Sequence, residues 1–348
     1  MIATLEFMSS RAEANEVDRA LEIKREGARF DILVLNFERI QLFFDNFHKL
    51  RNYDPARDRI VVLDCSRDGA RERALTGAFA RSQGWQLGGP HIVFATRENW
   101  GIDQGARLDY LSYLQRGSSL PRFVWQFQEH YLDNTSDYSR WSSGELAGQT
   151  KEDTIPDGVT VDLDQCERAF ADPEVSVVFA NRNGVGIFPH ADGREWFFAD
   201  GANLGFRTSA ALAAFDQRLL DSYRLVFDAS YRWCLFIEFE FARRLGNGAW
   251  FDLVRDRGYR DVAALRRAEP AQVERRVGDM KRRDHSPAFE RYERRVQLVL
   301  SMPEVVRGAL LASLFPAIGM LQREVVQRIR TVMLSNQLSP PRWLRHIW

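Results

Sequence analysis

The chain has 348 residues, of which 45% are hydrophobic and 28% are charged, and this length suits one large globular domain or a domain with an extension. The formal net charge is zero, so the whole molecule has no electrostatic attraction for nucleic acid, and we expect no nucleic-acid partner. Three scattered cysteines without a metal or disulfide pattern, and an N-terminal segment without the features of a secretory signal, predict a cytoplasmic protein.

Four short apolar segments predict four β-strands in the first part of the chain, and segments with apolar residues at helical spacing separate them. The predicted strands are Asp31–Phe37, Arg59–Ser66, His91–Thr96 and Arg122–Gln128. This β-α-β-α-β-α-β order is typical of a parallel sheet that is covered by helices. The ligands of such sheets bind at the carboxyl ends of the strands.

The regular alternation ends near residue 131, and the later segments are more varied. They are predicted to be a polar loop or lid, a strand, a glycine- and aromatic-rich substrate loop, two helices and an arginine-rich helical tail. In chain order these predictions cover residues 133–158, 175–184, 184–203, 207–215, 231–248 and 255–348.

Polar residues follow each of the four predicted strands, where a parallel sheet would form a binding cleft. They are Asn36 and Glu38, then Asp64, Ser66 and Asp68, then Arg97, Glu98 and Asn99, and then Gln128, Glu129 and His130. Turns favour such residues at any single strand end, but four sets in register favour a cleft. The usual dinucleotide, P-loop and α/β-hydrolase motifs are absent from the sequence. A cleft lined by carboxylates without a glycine loop suits a nucleotide sugar.

Five short motifs occur in order between residues 28 and 251. They are LVLNFER (33–39), DCSRD (64–68), NWG (99–101), GANLGFRTS (201–209) and IEFEFARRLGNG (237–248). Their order and spacing resemble those of the family-2-like inverting glycosyltransferases of the GT-A fold. The resemblance implies an α/β fold whose Rossmann-like, mostly parallel sheet is flanked by helices. It implies a catalytic domain at 1–254 with its core at 28–254, followed by an α-helical C-terminal extension at 255–348.

The same resemblance implies a reaction and a role for each matching residue. A sugar would pass from a nucleoside diphosphate sugar to a hydroxyl of a glycan or a lipid-linked glycan, in bacterial surface polysaccharide biosynthesis. Glu238 would be the general base, with Glu240 beside it; the alternative for Glu238 is a helix-face acid paired with Arg243 or Arg244. The residues expected to bind the nucleotide sugar are Asn36, Phe37, Glu38, Asp64, Ser66, Asp68, Asn99, Gln128, Glu129 and Arg207.

One motif departs from the family's pattern. The family usually ends its fourth strand in Asp-x-Asp, whose carboxylates hold a divalent metal, but here that position reads Gln128, Glu129 and His130. Three interpretations stay open. Glu129 and His130 bind Mn²⁺ or Mg²⁺, or His130 and Arg207 offset the diphosphate charge without a metal, or the site is degenerate. In the last case the protein is a non-catalytic nucleotide- or sugar-binding protein.

The C-terminal segment is basic. Residues 255–348 contain 19 Lys and Arg against 10 Asp and Glu, a net charge of +9, which leaves −9 for the remainder. Apolar residues at helical spacing, such as Phe289, Tyr292 and Val296, predict helices that dock on the catalytic domain or form a homodimer. The alternative is a peripheral contact of residues 285–348 with the inner face of the membrane, because Trp and Arg are common at lipid interfaces.

Overall fold

A computed structural model gives the fold of most of the chain. The predicted loop at 133–158 lies outside the described residues, as do Asn99, Glu129 and His130. The structure describes residues 28–97, 102–115, 120–128, 160–180, 186–190, 193–198, 203–228, 231–246, 248–271, 273–274 and 286–314.

The centre of the described structure is an eight-stranded sheet with the strand order β12-β11-β7-β10-β5-β1-β3-β4. Two small sheets, β2 with β6 and β8 with β9, lie outside it. The strands are β1 Phe30–Asn36, β2 Leu50–Arg51, β3 Asp58–Asp64, β4 Ile92–Thr96, β5 Phe123–Gln128, β6 Val161–Asp162, β7 Val175–Phe179, β8 Gly186–Pro189, β9 Glu195–Phe198, β10 Asn203–Arg207, β11 Ala249–Asp252 and β12 Arg257–Tyr259.

The sheet is mostly parallel. Strands β1, β3, β4 and β5 pair in parallel, and β10 runs antiparallel between β5 and β7. Strand β11 is parallel to β7, and β12 closes the far edge in an antiparallel pair with β11. Six strands therefore point their carboxyl ends to one edge, and four of these, β1, β3, β4 and β5, are the strands that the β-α alternation predicts.

Helices cover both faces of this sheet. Every residue of β1 is buried, because a parallel strand packs against helices on both sides. Alternate residues of β1 enter two separate cores, Leu33 and Leu35 on one face and Ile32 and Val34 on the other. The helices are α1 Ile40–Asp45, α2 Gly69–Ser82, α3 Ile102–Leu114, α4 Leu163–Ala169, α5 Thr208–Ala214, α6 Gln217–Leu225, α7 Tyr231–Leu245, α8 Val262–Ala268, α9 Ser286–Ser301 and α10 Glu304–Leu314.

Two segments differ from the sequence-based predictions. Part of the predicted substrate loop at 184–203 is the β8–β9 hairpin, with Ile187 opposite Phe197. The glycine-rich stretch before α5 contains β10, a central strand, because Gly205 gives room for the buried ring of Trp125. The predicted domain boundary at 254 falls inside the β11–β12 hairpin, so the sheet extends past it to Tyr259.

The described part of the C-terminal extension docks on the sheet domain. Helix α9 packs against α6 and α7, and α10 packs against α6. The ring of Phe289 lies 5.9 Å from that of Phe239, and the ring of Tyr292 lies 5.2 Å from that of Phe236. The apolar face of α9 is therefore used within the chain. In the described segments, no helix combines the length and apolar character needed to cross a bilayer.

The contact between β10 and β5 generates a test of the fold. A Cβ atom at Gly205 would lie 2.5 Å from Cε3 of Trp125. Gly205→Ala is therefore expected to destabilise the protein by about 1–3 kcal/mol, through overpacking of a closed core. The matched control is Gly308→Ala in α10, where a Cβ meets no described atom within 4 Å and helix propensity improves by about 1 kcal/mol. Urea unfolding measures both, and equal midpoints for Gly205→Ala and wild type would contradict this packing.

Candidate functional site

The carboxyl ends of β1 and β3 bring Asn36, Asp64 and Ser66 together. Asn36 and Asp64 are paired in register, and both side chains are buried. Nδ2 of Asn36 donates to Oδ1 of Asp64 at 2.7 Å, and the hydroxyl of Ser66 donates to the same oxygen at 2.5 Å. Two strand ends that the sequence indicated separately thus form one hydrogen-bonded group.

The second oxygen of the Asp64 carboxylate is in a different situation. Oδ2 is buried and has no hydrogen-bond partner within the part of the chain that the structure describes. A Cβ at Gly69 would lie 3.2 Å from Oδ2 and 2.8 Å from Cγ2 of Thr96, so glycine keeps the space beside this oxygen open. Burial raises the pKa of Asp64, and the hydrogen bonds from Ser66 and Asn36 only partly offset it. An unpaired buried acceptor is costly unless a ligand satisfies it.

The turn after β1 is held in an uncommon conformation. Glu38 has a φ of 63°, in the left-handed region that non-glycine residues seldom adopt. Its backbone N–H donates to the Ser66 hydroxyl at 2.5 Å, which links the turn to Asp64. Phe37, between Asn36 and Glu38, is 39% exposed and offers an aromatic face to solvent. The turn therefore joins a surface aromatic ring to a buried carboxylate.

Glu72 is a residue of this site that the sequence analysis missed. It is buried on α2, and its Oε2 accepts from Nδ2 of Asn36 at 3.0 Å and from the backbone N–H of Ile40 at 2.9 Å. It therefore orients Asn36 and satisfies the first turn of α1. Its neighbours Arg71 and Arg73 make it resemble a surface acid in the sequence. Asp68 is exposed and caps α2 through the Arg71 backbone N–H at 3.0 Å, so it stabilises the turn.

A buried arginine fastens the end of β4 to this group. The backbone N–H of Arg97 donates to the carbonyl of Asp64 at 2.8 Å. Its guanidinium donates to Oδ2 of Asp109 at 2.7 Å and to Sγ of Cys65 at 3.0 Å. Burial raises the pKa of the Cys65 thiol, and the Arg97 charge opposes this only in part. Arg97 is therefore a structural tie between β3, β4 and α3.

Glu238 lies beside the first turn of α3. This helix begins six residues after β4 ends, so its start lies close to the carboxyl edge of the sheet. The Gln104 amide donates from Nε2 to Oε1 of Glu238 at 2.9 Å. Glu238 is half-buried, whereas Gln104 is fully buried. The structure thus brings Glu238 toward the same edge as the strand-end residues.

Glu240 does not share that environment, and its catalytic role beside Glu238 stays a prediction. Its carboxylate accepts two hydrogen bonds from Arg243, both at 2.8 Å, and one from the Tyr223 hydroxyl at 3.0 Å. Burial alone would raise the pKa of Glu240, but the hydrogen bonds and charge of Arg243, with the charge of Arg244, lower it below its usual value. Glu240 is therefore paired with arginines of its own helix, and its hydrogen bond with Tyr223 fastens α7 to α6.

Arg207 is not part of the candidate site. It pairs with Phe123 at the amino end of β5, about 17 Å along the strand from Gln128. Its guanidinium donates to the backbone carbonyls of Val175 at 2.8 Å and Asp172 at 2.7 Å, and also to that of Phe170. The prediction that it binds the diphosphate beside the other strand ends does not fit this position, because β10 runs antiparallel and ends at the opposite edge.

The predicted metal ligands remain a prediction. Gln128 ends β5, and its backbone pairs with Leu35 next to Asn36, so β5 ends at the same edge of the sheet as β1. The side chain of Gln128, together with Asn99, Glu129 and His130, lies outside the described structure. Within the residues that are described, no cluster of three His, Cys, Asp or Glu side chains could hold a metal ion.

Comparisons with known proteins give distant similarities in structure alone. No family model and no curated protein matches the chain. Two structures of TarS from S. aureus match with 12% identity and a TM-score of 0.33. The structure of TarS residues 1–349 matches over 82% of this chain and 69% of the TarS chain. The other TarS structure matches over 85% of this chain and 44% of the TarS chain. The mannosyltransferase PcManGT from Pyrobaculum calidifontis, in complex with GDP-Man and Mn²⁺, has the same identity and TM-score over 92% of both chains. Similarities at this level assign neither a family nor an activity.

The environment of Asp64 predicts how stability depends on pH. Its pKa is raised in the folded state, so the unfolded chain loses this proton first as pH rises, and the Asp64 contribution to stability falls through that range. Asp64→Asn keeps an acceptor for Asn36 and removes the buried charge. We expect a higher melting temperature than wild type at pH 7, with a difference that shrinks as pH falls toward the ordinary pKa of an aspartate, because the folded and unfolded states then bind this proton more equally. Thermal melts across this range measure it, and a lower melting temperature for Asp64→Asn at pH 7 would refute it.

The two glutamates of α7 predict contrasting effects on stability. Glu240→Gln weakens charged hydrogen bonds that are largely buried and is expected to cost about 2 kcal/mol. Because the folded-state pKa of Glu240 is lowered, its contribution is present above its usual pKa and is lost as pH falls through the lowered value. Glu238→Gln is the matched control on the same helix, and we expect it to cost less than about 1 kcal/mol. Urea unfolding at pH 7 and pH 4 measures both, and an equal loss in the two variants would count against this assignment.

Proposed function

We propose that the chain is an inverting glycosyltransferase that moves a sugar from a nucleoside diphosphate sugar to a hydroxyl group. The observation that carries this proposal is the strand-end group of Asn36, Asp64 and Ser66, whose buried Oδ2 has no partner in the described structure. A nucleobase N–H is a donor of the kind that this oxygen lacks. The position of the group, at the carboxyl ends of parallel strands, supports the proposal because ligands of such sheets bind there.

The donor side of the site has a separate role for each residue. Oδ2 of Asp64 accepts a hydrogen bond from the base, while Asn36 and Ser66 hold Oδ1 and so fix the plane of the carboxylate. The exposed ring of Phe37 packs against the base or the ribose. Glu38 and Asn99 border the nucleotide, and Glu72 keeps Asn36 in place.

Glu238 is the general base on the acceptor side. Its carboxylate takes the proton from the acceptor hydroxyl as that oxygen attacks the anomeric carbon. The new bond forms between the acceptor oxygen and the anomeric carbon. The bond from that carbon to the diphosphate oxygen breaks, and the nucleoside diphosphate leaves with the electron pair. Attack from the face opposite the leaving group inverts the configuration.

The segment after β5 is the proposed position of the diphosphate. Glu129 and His130 offer one carboxylate and one imidazole, a donor set that suits Mn²⁺ better than Mg²⁺. A divalent metal bound there would offset the charge that develops on the leaving diphosphate. The exit of β5 beside Asn36 supports this position, because Gln128 pairs with Leu35.

The acceptor is proposed to be a glycan or lipid-linked glycan of a bacterial surface polysaccharide. Residues 315–348 contain five Arg and one Glu, a net charge of +4, together with two Trp. This composition suits lipid headgroups at the inner face of the membrane. The proposed membrane contact is limited to this last segment, because α9 buries its apolar face against α6 and α7.

The test of this function is sugar transfer by wild type and by Glu238→Gln. UDP-, GDP- and dTDP-hexoses are incubated with methyl glycosides, and release of the nucleoside diphosphate is followed with and without Mn²⁺. Loss of a general base is expected to lower kcat about 10²–10⁴-fold and to leave the Kd of the nucleotide unchanged. Saturable nucleotide binding without turnover by the wild type would favour the non-catalytic binding protein. Equal turnover in both proteins would remove Glu238 from the mechanism.

A further inference from the structure

Gln104 lies where the sheet edge meets the helix that carries Glu238. It is the third residue of α3 and is fully buried. Its Nε2 donates to Oε1 of Glu238 at 2.9 Å. A buried glutamine has few rotamers open to it, so its amide group has a fixed direction. The carboxylate oxygen that it holds is therefore fixed as well.

Helix α3 is itself anchored to the sheet by buried polar side chains. Asp109 accepts from Arg97, which follows β4, at 2.7 Å. Arg107 donates from Nε to Oε1 of Gln126 on β5, also at 2.7 Å. These contacts fix α3 relative to the carboxyl ends of the strands. Any group that α3 holds is therefore placed in register with the strand-end residues.

The kind of hydrogen-bond donor beside a carboxylate affects its strength as a general base. An arginine beside a carboxylate stabilises its charged form strongly and makes it a weaker base, which is the situation of Glu240 beside Arg243. A neutral amide fixes the orientation of a carboxylate with a smaller loss of basicity. The contact of Gln104 with Glu238 is of this second kind.

We propose that Gln104 is a positioning residue for Glu238 in sugar transfer, an inference that rests on the proposed function. The Gln104 amide holds Oε1, and this directs Oε2 toward the acceptor hydroxyl, whose proton it takes. Because α3 is tied to the strand ends, the same contact sets the base relative to the bound nucleotide sugar. The benefit is expected in kcat and not in nucleotide affinity, since the Gln104 amide acts on the general base, Glu238.

The experiment compares Gln104→Met with Gln115→Met in the full chain. Methionine is close to glutamine in shape but cannot donate a hydrogen bond. Gln115 directly follows the last residue of α3, and its amide donates to the carbonyl of Phe215. Its replacement therefore removes a hydrogen bond without changing the contact to Glu238. Release of nucleoside diphosphate from UDP-glucose, GDP-mannose and dTDP-glucose is measured with methyl hexosides as acceptors, over a range of pH.

Gln104→Met is expected to lower kcat about tenfold to a hundredfold, the effect of losing a hydrogen bond to a charged group. The acidic limb of the kcat/KM profile is expected to move to higher pH, because the charged form of Glu238 loses a donor. The Kd of the nucleotide should not change, and Gln115→Met should resemble wild type. In a Glu238→Gln background, Gln104→Met should have no further effect, since the two residues act as a unit.

The inference is overturned if Gln104→Met keeps the wild-type kcat or if Gln115→Met lowers kcat as much as Gln104→Met does. It is also overturned if the effects of Gln104→Met and Glu238→Gln on kcat multiply in the double variant. Absence of transfer by the wild type would instead refute the proposed function, and this inference with it. If Gln104→Met fails to fold, Gln104→Glu preserves the shape and places a second carboxyl beside Glu238. It should then move the acidic limb to still higher pH, and an unmoved limb overturns the inference.

Discussion

The rest of the site depends on the hydrogen bond between Asn36 and Asp64 across the ends of β1 and β3. This bond places a carboxylate inside the protein at the edge where parallel strands end, and only one of its oxygens is satisfied by Asn36 and Ser66. Burying such a group costs free energy, as the raised pKa of Asp64 indicates. This free-energy cost is offset when a ligand donates a hydrogen bond to Oδ2 of Asp64. The arrangement therefore favours ligand binding over stability of the ligand-free protein.

In contrast to Asp64, two other buried carboxylates of this part of the protein are paired with buried arginines. Arg59 holds Asp31 at 2.6 Å, and Arg97 holds Asp109 at 2.7 Å, each with both partners buried. These pairs join strand to strand and strand to helix, whereas Oδ2 of the buried Asp64 has no hydrogen-bond partner among the described residues. The described helices of the basic C-terminal segment dock through their apolar faces. Arg291 and Arg294 are exposed to solvent, whereas Arg307 is buried. The net charge of a segment thus says little about which of its residues meet a partner.

Much of the fold could be predicted from the sequence, because the first four strands are apolar runs separated by helical periodicity. Strand β10 could not be predicted, because its Gly205 and Asn203 are required by contacts with residues far away in the chain. Gly205 leaves room for the ring of Trp125, and Asn203 forms hydrogen bonds with Trp125 and the carbonyl of Ala180. Resemblance to a family placed Asn36 and Asp64 at one edge but included Arg207, whose position depends on the antiparallel direction of β10. The distinction between Glu238 and Glu240 depends on which side of α7 faces α3, and a pattern of alternating Phe and Glu does not reveal it.

The measurement that tests the central claim most directly is calorimetric titration of UDP, GDP and dTDP into wild type and Asp64→Asn, with and without Mn²⁺. The account predicts that one nucleotide binds the wild type and that Asp64→Asn weakens it at least about tenfold, the effect of losing one hydrogen bond to a charged group. Binding that requires Mn²⁺ in the wild type, and loses that requirement in a Glu129→Ala, His130→Ala variant, would assign the metal to these residues. If none of the three nucleotides binds, or if Asp64→Asn binds as tightly as wild type, the carboxyl edge around Asp64 is not a nucleotide site and the account is wrong.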